Sequence, residues 1–113
     1  MSEAAQGEVW FCDLEPTRGK EQAGRRPALV VSVDQLGTGP SGLAIVVPLT
    51  TRPQQNPIRP EIPAEEGGLR ERSWALPDMV RSVDRSRLVE RWGRVRPGTL
   101  EQVASRLQLL IRT

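Results

Sequence analysis

A small, strongly bent β barrel crossed by one C-terminal helix is the fold these 113 residues predict. Three observations carry that prediction. Short valine-rich runs recur up to Val95, each bounded by glycine or proline turn residues. From Thr99 onward the apolar spacing becomes helical. No repeat, low-complexity stretch or linker divides the chain, so residues 7–113 read as a single domain behind a flexible start at residues 1–6.

Residues 7–14 read as the first strand and residues 28–34 (ALVVSVD) as the second. Residues 43–49 (LAIVVPL) form a third, continuous enough in apolar character to be buried on both faces, and Pro48 puts its end at an edge or bulge. Thr50 and Thr51 close that strand. Residues 54–63 read as a short irregular strand broken by prolines, and Ala64 to Gly68 as a turn. Residues 74–83 follow, then a helical turn over 84–88 and a strand over 89–95. At the C-terminus, Leu100, Val103, Ala104, Leu107, Leu110 and Ile111 make one apolar stripe, and Thr99 with Gln102 form a capping box; this helix packs across the sheet.

Composition removes several kinds of chemistry. The chain has no histidine and a single cysteine, Cys12, which lies in a strand pattern as a small buried residue. The usual zinc ligand sets and any Cys-His or Ser-His-Asp arrangement are therefore excluded. No acidic cluster has ligand spacing for magnesium, so neither metal nor cofactor is expected. The apolar run at residues 43–49 is too short to span a bilayer, and no signal-like start precedes Gly7, which predicts a soluble cytoplasmic protein with no membrane partner. Net charge is +2 and the pI about 9.5, yet fifteen of the sixteen basic residues are arginine. Arginine suits bidentate phosphate contacts and stacking on bases.

Between the first two strands, Gly19-Lys20-Glu21-Gln22-Ala23-Gly24-Arg25-Arg26-Pro27 puts a glutamate, a glutamine and two arginines on a glycine-hinged loop. Phosphate is the first ligand to consider there. Gly37-Thr38-Gly39-Pro40-Ser41-Gly42 matches a dinucleotide-binding pattern only literally: it contains a proline and leads into a strand, and reads as a flexible loop. Arg81, Arg85, Arg87, Arg91, Arg94 and Arg96 form a second basic cluster interleaved with Asp84 and Glu90, read as an ion-paired solvated face with some members bordering a phosphate groove. Trp10 and Trp92 lie in strand patterns and read as core. Trp74, after the polar residues 70–73, is the candidate for exposure and for stacking on an unpaired base.

Taken together, Gly7-Glu8-Val9-Trp10, Asp13-Leu14-Glu15-Pro16, the loop from Gly19 to Pro27, Val46-Val47-Pro48-Leu49-Thr50 and Val80-Arg81-Ser82-Val83-Asp84-Arg85-Ser86-Arg87-Leu88 closely resemble the MazF/PemK family of toxin endoribonucleases. The resemblance implies a compact SH3-like, CcdB-like barrel with a C-terminal helix, working as a homodimer. It implies single-stranded RNA as substrate and a MazE-like antitoxin whose acidic tail covers the active groove. It maps the family's catalytic arginine to Arg26 and its catalytic threonine to Thr50, and places Glu21 and Gln22 in the same groove. Arg25, Arg81 and Arg85 are further candidates for RNA contact or catalytic support. Family members often carry glutamine where this chain has Met79, so substrate contacts are not carried over to that segment.

RNA can be cut without metal because its own 2′-hydroxyl can attack the adjacent phosphorus, leaving a 2′,3′-cyclic phosphate and a 5′-hydroxyl. Arg26 fits charge stabilisation, and Thr50 can hydrogen-bond a phosphate oxygen or relay a proton. The base stays open: arginine accepts protons poorly, and Glu21 would serve if burial raised its pKa. Two alternatives stand beside this reading, a gyrase-binding toxin and a non-catalytic RNA-binding module on the same fold.

Overall fold

The alternation of apolar residues in the first strands sends neighbouring side chains to opposite faces, and both faces are covered. The computed structural model describes residues 3–14 and 24–111. In it β1 (Glu8–Asp13), β2 (Arg25–Val30) and β3 (Leu43–Thr50) form an antiparallel centre. Trp10, Cys12, Ala28, Val30, Ala44 and Val46 fill one core. Val9, Leu29, Val47 and Leu49 fill the other. Each fully buried Leu or Val contributes roughly 1.5–3 kcal/mol against exposure, so this doubly buried centre is a large source of the fold's stability.

Four further strands extend the centre: β4 (Glu61–Ile62), β5 (Ser73–Ala75), β6 (Arg81–Asp84) and β7 (Leu88–Arg94). The strand order is β4-β5-β3-β2-β1-β7, with β6 also paired to β3. Thus β3 pairs through residues 43–46 with β6 and through Leu49 and Thr50 with β5. Pro48 sits at the hand-over, where a residue without an N–H costs no ladder bond. Two register shifts along the β1–β7 pairing bend that edge. The result is a bent, mostly β half-barrel, in line with the small bent barrel expected from the sequence. Gly68 admits a close approach at this edge, for a Cβ there would lie 2.2 Å from the Trp92 carbonyl oxygen.

The closing helix α2 (Pro97–Ile111) starts two residues before the expected Thr99, with Pro97 in the first turn. Its cap is not the expected Thr99–Gln102 box. The Glu66 carboxylate, from the turn before β5, accepts from the Arg96 N–H at 3.1 Å and from the Thr99 hydroxyl. Val103 is fully buried, and Leu100 and Leu107 pack against the second core.

Other expectations need correction. Residues 3–6 are not a loose lead: Ala4 is fully buried with its N–H on the Gly37 carbonyl, and the Gln6 N–H donates to Asp34 Oδ1. The second strand begins at Arg25 rather than Ala28, because residues 25–27 continue the pairing with β1. A short helix α1 (Asp34–Gly37) runs into the glycine-rich stretch read as loop. Within residues 54–63 only Glu61 and Ile62 are strand, and the expected strand at 74–83 is divided between β5 and β6 by a helical turn at Pro77–Met79. No helix among the described residues is long and apolar enough to cross a membrane.

Candidate active site

Arg26 and Thr50 come from neighbouring strands. Ala28 pairs with Pro48, and the same register carried two residues further sets Arg26 opposite Thr50. Both point to the same side of the sheet at its open end, and together they line a cavity of about 300 Å³ with Arg52, Gln54 and Arg59. A second cavity of about 380 Å³ adjoins it, sharing Arg26, Thr50 and Arg52 and adding Arg25, Pro27 and Thr51. The Arg52 N–H donates to Thr50 Oγ1 at 3.2 Å. With a lone pair engaged there, the Thr50 hydroxyl keeps its own proton to donate.

The floor is built by residues that carried no expected role. Arg59 donates through Nε to Asp78 Oδ1 at 3.0 Å, through Nη2 to Asp78 Oδ2 at 2.6 Å, and through Nη1 to Gln54 Oε1 at 2.9 Å. Hydrogen bonding from Arg59 holds the Asp78 carboxyl below the usual carboxylate range, and the same bond raises the Arg59 pKa. From α2, Arg106 Nε donates to the Pro57 carbonyl at 2.9 Å and ties the segment to the helix. Arg52 and Arg59 follow the strand that carries Thr50, among prolines; that placement was the signal available in the sequence.

The other predicted site residues scatter. Glu21 and Gln22 lie outside the described residues. Arg25 is exposed and lies 3.9 Å from Asp13. Arg81 is half-buried, and its Nη1 donates to the Leu14 carbonyl at 3.3 Å. Arg87 does the same to the Asp13 carbonyl at 3.3 Å, so both brace the end of β1. Arg85 is a clear correction. Only 7% exposed, it donates to the carbonyls of Gly37, the last residue of α1, and of Gly39, so its guanidinium is spent inside the fold. Met79 is half-buried behind Asp78.

Two further groups are structural. Burial alone would raise the Glu8 carboxyl, but hydrogen bonds from Arg91, the Ala5 N–H and the Trp10 indole outweigh it and leave the pKa lowered. Burial pushes the Cys12 thiol up to about 12, which removes it as a nucleophile. Among the described residues no group of three or more Cys, Asp and Glu side chains is placed as metal ligands.

A bent half-barrel with one covering helix is also the architecture of solved MazF toxins. MazF from Deinococcus radiodurans superposes with a TM-score of 0.87 at 31% identity, covering 100% of both chains. A MazE–MazF structure from the same organism gives 0.80 at 31% identity, covering 98% of this chain and 97% of the other. Endoribonuclease EndoA of Bacillus subtilis is 34% identical over 105 residues, 91% of this chain and 90% of its own. Residues 5–111 match the family of PemK-like, MazF-like toxins of type II toxin-antitoxin systems, and the chain belongs to that family.

Proposed function

We propose that this protein cuts single-stranded RNA at a specific sequence without a metal, through attack of the 2′-hydroxyl on the adjacent phosphorus, and so acts as an mRNA interferase. The class is that of a MazF-type endoribonuclease toxin of a toxin–antitoxin pair, in keeping with relatives at 32–34% identity that are endoribonucleases. The working form is a homodimer of single-domain chains, and a MazE-like antitoxin is the partner, as in the solved complex.

The observation that carries the reading is the meeting of Arg26 and Thr50 in one cavity beside Arg52. The planar Arg26 guanidinium can hold two non-bridging oxygens as negative charge builds on phosphorus. Thr50, one lone pair of its oxygen engaged by the Arg52 N–H, donates to a phosphate oxygen or relays the proton released by the 2′-hydroxyl to the leaving 5′-oxygen, giving its own proton and taking that one in its place. Arg52 places further positive charge where the strand enters.

A single 2′-deoxy substitution at the cut site tests the mechanism. Cleavage should stop at that position and continue at other copies of the sequence. A cut through the deoxy position would mean that water, not the 2′-hydroxyl, is the nucleophile.

A further inference from the structure

Beside the Arg26–Thr50 cavity, three planar groups meet that have no part in gripping phosphate. Phe11 on β1 and Trp92 on β7 stack with ring centroids 5.4 Å apart and planes inclined by 10°. The Arg70 guanidinium lies over the Trp92 ring, 5.4 Å from its centroid. The indole N–H donates to Glu90 Oε1 at 2.8 Å, which fixes the ring's orientation. Among the three tryptophans only Trp92 keeps a solvent-facing part, for Trp10 and Trp74 are each 6% exposed.

This group borders a cavity of about 240 Å³ lined by Pro27, Thr51, Leu69, Arg70, Glu71 and Trp92. Pro27 and Thr51 also wall the larger cavity that holds Arg26 and Thr50. The two spaces are therefore neighbours along one surface that passes around the end of the sheet. Their linings differ in character. Arginine dominates the first, whereas the second offers aliphatic and aromatic walls and a carboxylate, Glu71, that repels phosphate. A neutral planar ring fits there, since bases stack on arginine planes and on aromatic faces.

We propose that Arg70 and Trp92 form a stacking subsite for the base of a nucleotide adjoining the phosphate held by Arg26, and thereby help choose where RNA is cut. This rests on the RNA-cleaving function proposed above. Phe11 backs the indole from the neighbouring strand, and Glu90 keeps it from turning, so the platform is formed before RNA binds.

The test pairs protein variants with RNA lacking one base. A defined RNA that the wild-type protein cuts is prepared with an abasic residue at each position flanking the cut, and KM and kcat are measured for wild type, Arg70→Ala and Trp92→Leu. At one flanking position the abasic residue should raise the wild-type KM roughly tenfold to a hundredfold. Arg70→Ala should raise KM for intact RNA similarly, and on the abasic RNA the two losses should not multiply. Trp92→Phe, which keeps a ring, should recover most of the affinity lost by Trp92→Leu. Arg70 is exposed, so its variant folds even where Trp92→Leu does not. Wild-type cleavage with losses that multiply at every position, or an unchanged KM in Arg70→Ala, overturns the subsite. RNA left intact by the wild type overturns the cleavage reading itself.

Discussion

Arg26 and Arg85 belong to two basic clusters that look alike in sequence and do opposite things in the fold. Around Arg26 the strands β2 and β3 end side by side, and the arginines lining that end border open cavities. Around Arg85 backbone carbonyls take donors from each arginine: Gly37 and Gly39 accept from Arg85, Leu14 from Arg81 and Asp13 from Arg87. Arg26 lines a cavity at the end of the sheet, whereas an arginine such as Arg85, set beside buried carbonyls, becomes a brace. On the function proposed above, the first cluster is the one that meets RNA, while the second braces the scaffold.

The sharpest way to break this contrast is to truncate both sides of it. Arg26→Ala and Thr50→Ala should each lower kcat by about 10²–10³, the usual loss when a group stabilising the transition state is removed, while the melting temperature scarcely moves. Arg85→Ala should do the reverse. Losing the hydrogen bonds to the Gly37 and Gly39 carbonyls should cost about 1–3 kcal/mol, visible as an earlier urea midpoint, with cleavage by the folded fraction retained. A folded but inactive Arg85→Ala would erase the distinction between the clusters.

Glu8 sharpens it on the structural side. Glu8→Gln should cost about 1–3 kcal/mol at neutral pH, because the carboxylate accepts from Arg91, Ala5 and Trp10. Its folded pKa is lowered, so its contribution is complete above the unfolded value near 4.3 and is lost as pH falls through the lower folded one. Urea melts of wild type and variant should therefore differ most near neutrality and converge in acid. The Arg59–Asp78 pair under the cavity should show the smallest effect. Asp78→Asn should cost up to about 1 kcal/mol, with the same pH direction because the Asp78 pKa is also lowered.

The sequence disclosed most of the frame and only part of the site. Doubly buried strands announce themselves by unbroken apolar runs such as residues 43–49, and the helical stripe from Leu100 to Ile111 by its spacing. That Arg26 and Thr50 lie together was legible because their motifs keep them at strand ends. Less legible were features set by long-range acceptors. Nothing local announces that Gly37 and Gly39 will bury Arg85 from 46 to 48 residues away. Trp74 followed a polar stretch and read as exposed, but pairing with Glu61 and Thr50 in neighbouring strands draws it inward. Arg59 and Gln54 sit in a proline-rich connection whose path is fixed by Asp78 and by Arg106 on α2. The exposed face of Trp92 likewise depends on where β7 ends up as an edge strand.

The most direct measurement is to incubate the purified protein with a long, defined single-stranded RNA in EDTA, map the cuts and determine the chemistry of their ends. Discrete cuts at one sequence, bearing 2′,3′-cyclic phosphate and 5′-hydroxyl ends, are what the Arg26–Thr50 account predicts. Intact RNA from the folded protein, or cuts that appear only when a divalent metal is restored, would contradict it.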